Sequence, residues 1–384
     1  MALHFTREEF ADRETRLLAA MKAKKLDAML LFAQESMYWL TGYDTFGFCF
    51  FQCLVVTASG RKVLLTRSAD LRQARHTSIV EDIRIWVDRG EASPAMQLKD
   101  LLFEMDLLGA RLGVEYDTHG LTARNGRMLD ATLETFADLQ DASDLVARLR
   151  VVKSPAEIQL VRKAAALADD ALDAAHAIIR PGADEGHILA AMQGAVFMGG
   201  GEYPGNPFIL GSGRDALLCR SKAGRRQLDP VDQITLEWAG VYANYHVAMM
   251  RTVCVGRPSS RHQEMHAAAV AALAAVETAM RPGNSFGDVF EAHAHVFDAH
   301  GMAHHRLNAC GYSLGARFAP SWMEWPMFYR GNPALIEPDM VLFAHMILMD
   351  SETETAMCFG QTYLTTAAAP ECLSRSPLDL VVKT

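Results

Sequence analysis

The stretch 234–256, ITLEWAGVYANYHVAMMRTVCVG, narrows the fold more than any other part of the chain. Apolar, β-branched runs at 234–238 and 252–255 flank a segment containing Gly240 and Asn244, which predicts two antiparallel strands joined by a turn. The pair carries Glu237, His246, Tyr242, Tyr245 and Arg251. Charged groups on half-buried strands are costly unless they are paired or put to use, so the chemistry of this chain is expected here.

Upstream, Thr6 and Glu9 form a capping box that predicts a helix to about residue 23. Short apolar runs predict strands at 26–32, 53–57, 62–66, 83–87 and 112–115, with helices near 68–75, 94–108 and 122–137. That alternation predicts an α/β layered domain over 1–145. A second domain, 151–384, opens with Ser154 as N-cap, Pro155 at the first helical position and Glu157 closing a capping box. Its first helix is expected to end at Arg180-Pro181-Gly182. The same helix–Pro–Gly–helix arrangement returns at Arg281-Pro282-Gly283, an internal echo with the hairpin between its two occurrences.

Composition excludes several classes. The 384 residues carry a net charge of −9 with basic residues scattered, which leaves no nucleic-acid footprint. No apolar run reaches membrane-span length, and the opening MALHFTREEF lacks a leader pattern, so a cytoplasmic protein is expected. The seven cysteines are dispersed without a CxxC pair, which reads as reduced thiols.

The hairpin, the capped Lys-Ser-Pro-x-Glu-Ile helix start and the internal echo together resemble the pita-bread family of methionine aminopeptidase, Xaa-Pro peptidases, creatinase and ectoine hydrolase. The resemblance implies a creatinase-like α/β domain followed by a pseudo-symmetric catalytic domain. The family's metallopeptidases hold two metal ions on two Asp, one His and two Glu. The matching positions here are Glu237, Ala248, Tyr312 in GYSLG, His345 in VLFAHMILM, and Gly360 or Gln361. At most Glu237 and His345 remain as ligands, and catalytic metals usually need three or more, so neither metal nor cofactor is expected. The stretch GYSLG…APSWMEWP is similar to a pattern of ectoine-hydrolase-type members. Creatinase carries a catalytic His about nineteen residues before the Glu237 position; here that region reads ALLCRSKAG, with Leu218 and Cys219.

A buried carboxylate suits an amidinium carbon as counter-ion and as nucleophile or base, and Glu237 is the candidate; the alternative is a structural acid paired with Arg251. His246 on the same hairpin could move the proton to the leaving nitrogen, or be a turn histidine. Tyr312 could hydrogen-bond developing charge, or simply pack. His345, between apolar neighbours, is a fourth catalytic candidate or a satisfied core histidine. Glu324, between Trp322 and Trp325, could bind a substrate cation with help from Trp322, while Tyr245 and Arg251 complete the substrate-binding set, Arg251 by fixing Glu237. Arg220, Arg225 and Arg226 could meet a substrate carboxylate, though a charge run is usually a solvated face. By resemblance to creatinase-like dimers, Phe46 and Phe48 could wall the partner subunit's site, or belong to their own domain's core.

The expected function is therefore metal-independent hydrolysis of a non-peptide C–N bond in a small amidine- or guanidine-like substrate by a homodimer. An Xaa-Pro metallopeptidase and a catalytically inactive binding protein are the alternatives.

Overall fold

A computed structural model of the chain describes residues 3–90 and 93–384. Contacts divide it into two units, Met1–Arg150 and Val151–Thr384. Among the described residues no helix is long and apolar enough to cross a membrane.

The first unit is a six-stranded sheet covered by helices on both faces. Its strands are β1 (Ala28–Leu31), β2 (Cys53–Thr57), β3 (Lys62–Thr66), β4 (Asp82–Ile85), β5 (Arg111–Val114) and β6 (Asp138–Asp141), in the order β4-β3-β2-β1-β5-β6. Its helices are α1 (Arg7–Lys24), α2 (Gln34–Thr41), α3 (Leu71–Thr77), α4 (Pro94–Glu104), α5 (Ala123–Leu133) and α6 (Ser143–Val151). The Thr6 hydroxyl accepts from Glu9 N at 3.3 Å and starts α1 as its capping box predicts. Alternate residues of the central strands point to opposite faces. Leu30 and Val55 meet α4 and α5, while Met29, Leu31, Leu54 and Val56 meet α1, α2 and α6. Helix α2 escaped the sequence because every residue in it is buried, leaving no polar stripe, and because its N-cap residue Ala33 has no capping side chain. The Glu115 carboxylate, just past β5, accepts from Phe32 N at 3.0 Å, Ala33 N at 2.9 Å and Ser36 Oγ at 2.6 Å.

The second unit has helices α7 (Pro155–Ile178), α8 (Glu185–Met198), α9 (Ser260–Ala279) and α10 (Phe286–Ala299). Its strands are β7 (Ile209–Ser212), β8 (Asp232–Tyr242), β9 (Tyr245–Val255), β10 (Ala309–Ser313), β11 (Glu324–Tyr329), β12 (Val341–Asp350) and β13 (Thr355–Leu364), with short β14 (Glu371–Cys372) and β15 (Val382–Lys383). The main path runs β11-β10-β12-β13-β9-β8-β7, with β14 on β13 and β15 on β9. Helix α7 packs on β8 and β9, and α9 packs on β12 and β13, so the two halves have like parts. Both Pro-Gly stops are present: Gly182 and Gly283 take φ of 77° and 94°, which glycine adopts without a Cβ penalty. The Ser154 capping box forms as expected.

The hairpin is longer than the sequence suggested. Strands β8 and β9 each span 11 residues, and their turn is only Ala243-Asn244, both left-handed at φ 49° and 63°. That is the hairpin turn whose twist matches the strands. Gly240 is therefore not a turn residue. It lies within β8, where a Cβ would stand 2.0 Å from Ala164 O, so glycine lets α7 sit against the strand.

Candidate functional site

Strand parity sorts the candidates. Leu236 and Trp238 face α7, the Trp238 indole donating to Ala168 O at 2.8 Å. Glu237 thus points to the opposite face, together with its register partner Met250 and with Ala239, Ala248 and His246. On β12, Leu342, Ala344, Met346 and Leu348 pack with α9 and α10, so Phe343 and His345 share the Glu237 face. Register carries one row across the sheet from Glu237 through Met250 and Gly360 to His345.

Tyr312, on β10, closes the site. In a flat sheet β10 would lie four strand spacings, about 19 Å, from β8. Tyr312 and Glu237 nevertheless act on each other's ionisation, so the sheet curls to bring the two together on this face. The Trp322 indole donates to the Tyr312 oxygen at 2.9 Å, which leaves the phenol proton free to donate elsewhere. Glu237 is 7% exposed. Burial pushes its carboxyl up to about 7, against smaller lowering by the Arg220 charge and the Tyr312 hydrogen bond. Burial and the Glu237 charge hold the Tyr312 phenol well above its ordinary range, so it is a neutral donor. His345 lies 5.8 Å from the Tyr312 ring, its Nδ1 has no hydrogen-bond partner among the described residues, and burial pushes it down to about 4, so it is a neutral imidazole.

Four sequence assignments change. Arg251 does not fix Glu237. It lies one residue from Met250 and so on the helix-covered face, where Nη1 donates to Met250 O and Gly360 O at 2.8 Å each. Tyr245 shares that parity, and its hydroxyl donates to Glu157 at 2.6 Å. His246 is on the site face, but Nδ1 donates to Asn244 O and Nε2 accepts from Gly205 N, both at 2.8 Å. Both of these imidazole bonds are to backbone, and they tie the 205 loop to the hairpin turn. Trp322 is fully buried and orients Tyr312 instead of presenting a surface to substrate. Glu324 is also buried, with its carboxylate over Gly315, where the Lys153 ammonium also lies; a Cβ there would be 2.4 Å from one and 3.4 Å from the other. Phe46 and Phe48 belong to the first unit, Phe46 being 83% exposed and Phe48 half-buried.

Sequence reading missed two features. The Cys219 thiol is close enough to Glu237 for that charge to raise it further, after burial. Its signal was present in ALLCRSKAG, the stretch about nineteen residues before Glu237 that holds Leu218 and Cys219. The second is a support chain: Gly205 N binds His246, Asn206 Oδ1 accepts from Trp322 N at 3.2 Å, and Trp322 holds Tyr312.

The five positions that hold metal in the family's peptidases do not fit one here. Ala248 faces Ala239 with no donor between them. The Phe343 ring fills the place of a side chain at Gly360, since a Cβ there would be 2.6 Å from Phe343 Cζ. Tyr312 is spent on Trp322 and Glu237. Among the described residues no three His, Cys, Asp or Glu side chains form a metal-binding group.

Comparison with known proteins agrees with this architecture. Residues 159–367 match the family description "Metallopeptidase family M24", and residues 13–152 match the creatinase/prolidase N-terminal domain. The chain is 27% identical over 402 residues to an ectoine hydrolase of Halomonas elongata, covering 100% of this chain and 99% of that one. It is 23% identical over 205 residues to an Xaa-Pro dipeptidase of Pyrococcus furiosus, covering 53% and 58%. A solved Xaa-Pro dipeptidase from Bacillus anthracis superposes with a TM-score of 0.84 at 19% identity, covering 97% and 99%. The chain is a hydrolase of the M24 superfamily, with a creatinase-type N-terminal domain and a pita-bread catalytic domain.

Proposed function

We propose that this protein hydrolyses a non-peptide C–N bond in a small amidine- or guanidine-like substrate, without a metal. The observation that carries this is the buried Glu237 carboxyl, poised at about 7 against a neutral Tyr312, in a site whose other ligand positions are Ala248, Tyr312, His345 and Gly360 or Gln361. A carboxylate so placed neutralises an amidinium and draws a proton from water as the oxygen adds to the central carbon. Collapse of that adduct breaks the C–N bond, and the leaving nitrogen takes a proton from Glu237 or through the open Nδ1 of neutral His345. Full-length similarity to an ectoine hydrolase supports the same reading.

The protein acts as a homodimer in the cytoplasm, with the exposed Phe46 and the neighbouring Phe48 meeting the second subunit. A screen of cyclic amidines and guanidino acids tests the function. Turnover that Glu237→Gln abolishes supports it, and turnover unchanged in Glu237→Gln contradicts it. The second reading, an Xaa-Pro dipeptidase, is favoured by the Pyrococcus and Bacillus similarities. It requires turnover of Xaa-Pro dipeptides that chelator removes.

A further inference from the structure

The sheet of the second unit is joined at its middle by little of its own backbone. Strands β8 and β9 pair along all 11 residues of each, and β12 and β13 along all 10. Between these two pairs, β9 and β13 meet at Met250–Gly360 and Arg251–Phe359, and among the described residues at no other register position. The row that holds the site crosses this seam. Glu237 and Met250 lie on one side of it, and Gly360, His345 and Tyr312 on the other. Two threonines reinforce it, Thr252 Oγ1 accepting from Cys358 N at 2.8 Å and Thr362 Oγ1 donating to Ala248 O at 2.7 Å.

The stretch that follows β13 closes both ends of the seam. β14 takes an edge of β13 at Tyr363 and Leu364, where β12 holds the other edge, and Leu373 N donates to Thr362 O at 3.0 Å. β15 takes an edge of β9 at Cys254 and Val255, where β8 holds the other. There Cys254 N donates to Val381 O at 3.0 Å and Gly256 N to Lys383 O at 2.7 Å. A strand has two edges, so β14 and β15 fill the ones that β13 and β9 would otherwise offer each other.

Between these contacts the stretch is latched to α7. Asp169, buried on that helix, accepts from Ser374 Oγ at 2.6 Å, Arg375 N at 2.9 Å and Ser376 Oγ at 3.1 Å. Among the described residues, all its hydrogen bonds come from this stretch. Arg375 also reaches Asp170 at 3.0 Å and Asp173 at 2.5 Å, Arg162 grips Glu371 through bonds of 2.6 and 2.7 Å, and His266 Nε2 donates to Leu378 O at 2.7 Å. The exposed ion pairs add little. The buried carboxylate matters more, because it is costly to leave without donors. No residue of 371–383 is buried, whereas Asp169, Cys254 and Tyr363 beneath it are. A segment that buries so little of itself opens locally at far lower cost than the domain unfolds.

We propose that residues 371–383 form a strap, latched on Asp169, that fastens the two halves of the sheet across the row holding Glu237 and Tyr312. It undocks as one unit, and undocking loosens that row. The strap acts in this way whatever reaction the site performs.

Hydrogen exchange of the full chain, followed peptide by peptide by mass spectrometry, tests this. Asp169→Ala should speed exchange in 371–383 by about 10- to 100-fold, as loss of hydrogen bonds to a buried charge predicts. Peptides over 250–256 and 355–364 should speed up with it, while α10 and the first unit keep their wild-type rates. Asp169→Asn, which keeps one acceptor oxygen, should fall between. Ser374→Ala combined with Ser376→Ala removes two of the three donors without touching α7 and should give the same pattern more weakly. Unchanged exchange in 371–383 overturns the latch. Faster exchange in 371–383 with 250–256 and 355–364 unchanged overturns the fastening. If Asp169→Ala speeds exchange throughout the second unit, the serine pair decides by the same two criteria.

Discussion

Glu237 is destabilising and useful for the same reason. The folded protein holds its proton up to about pH 7, where an unfolded glutamate loses it near 4.5. Ionisation is thus disfavoured by folding, and stability falls by up to about 3 kcal/mol as pH rises through that window. Glu237→Gln is therefore expected to raise the melting temperature at pH 8 and to change it little at pH 4.5, while lowering turnover by about 10²- to 10⁴-fold. Thermal melts at the two pH values check the first part. The same carboxylate, acting as base, makes kcat/KM rise with pH to a plateau above about 7. Tyr312→Phe removes a donor that favours the ionised form, so the acid limb should move upward by on the order of one pH unit. An unmoved limb in a pH–rate profile would show that the phenol does not act on Glu237.

At the scale of the element, the hairpin shows what was legible and what was not. Its two strands could be read from β-branched runs and Glu237 as a charge on a half-buried strand, while Ala248 stood out only through the resemblance to the family's metallopeptidases. Its parity could not, because Gly240 looked like the turn and Ala243 did not. Once the turn is Ala243-Asn244, Glu237 and Arg251 must face opposite sides, and the supposed ion pair is impossible. The support of Tyr312 by Trp322 was equally hidden, since it depends on how a loop folds back and on His246 holding Gly205. Two measurements follow. Gly240→Ala should cost about 1–3 kcal/mol in chemical denaturation, because a methyl there meets the backbone of α7. His246→Ala should lower kcat without moving the pH profile, as loss of a positioning group predicts; a shifted profile would return His246 to proton transfer.

At the scale of the whole molecule, two α/β units were visible from alternating strand and helix signals, capped helix starts and the repeated Pro-Gly stops. Helices such as α2 were not, because a fully buried helix whose N-cap residue supplies no side-chain bond leaves no periodic or capping trace. The central claim is that an M24 hydrolase works here on one carboxylate, with no metal in place of the lost ligands. Metal analysis of freshly purified, tag-free protein by plasma mass spectrometry tests it most directly. The account predicts less than about 0.1 Mn, Co, Zn or Fe per chain, since Ala248 and the Phe343-filled space at Gly360 offer no ligand. One or two tightly held ions per chain would contradict it and make the dipeptidase reading the stronger one.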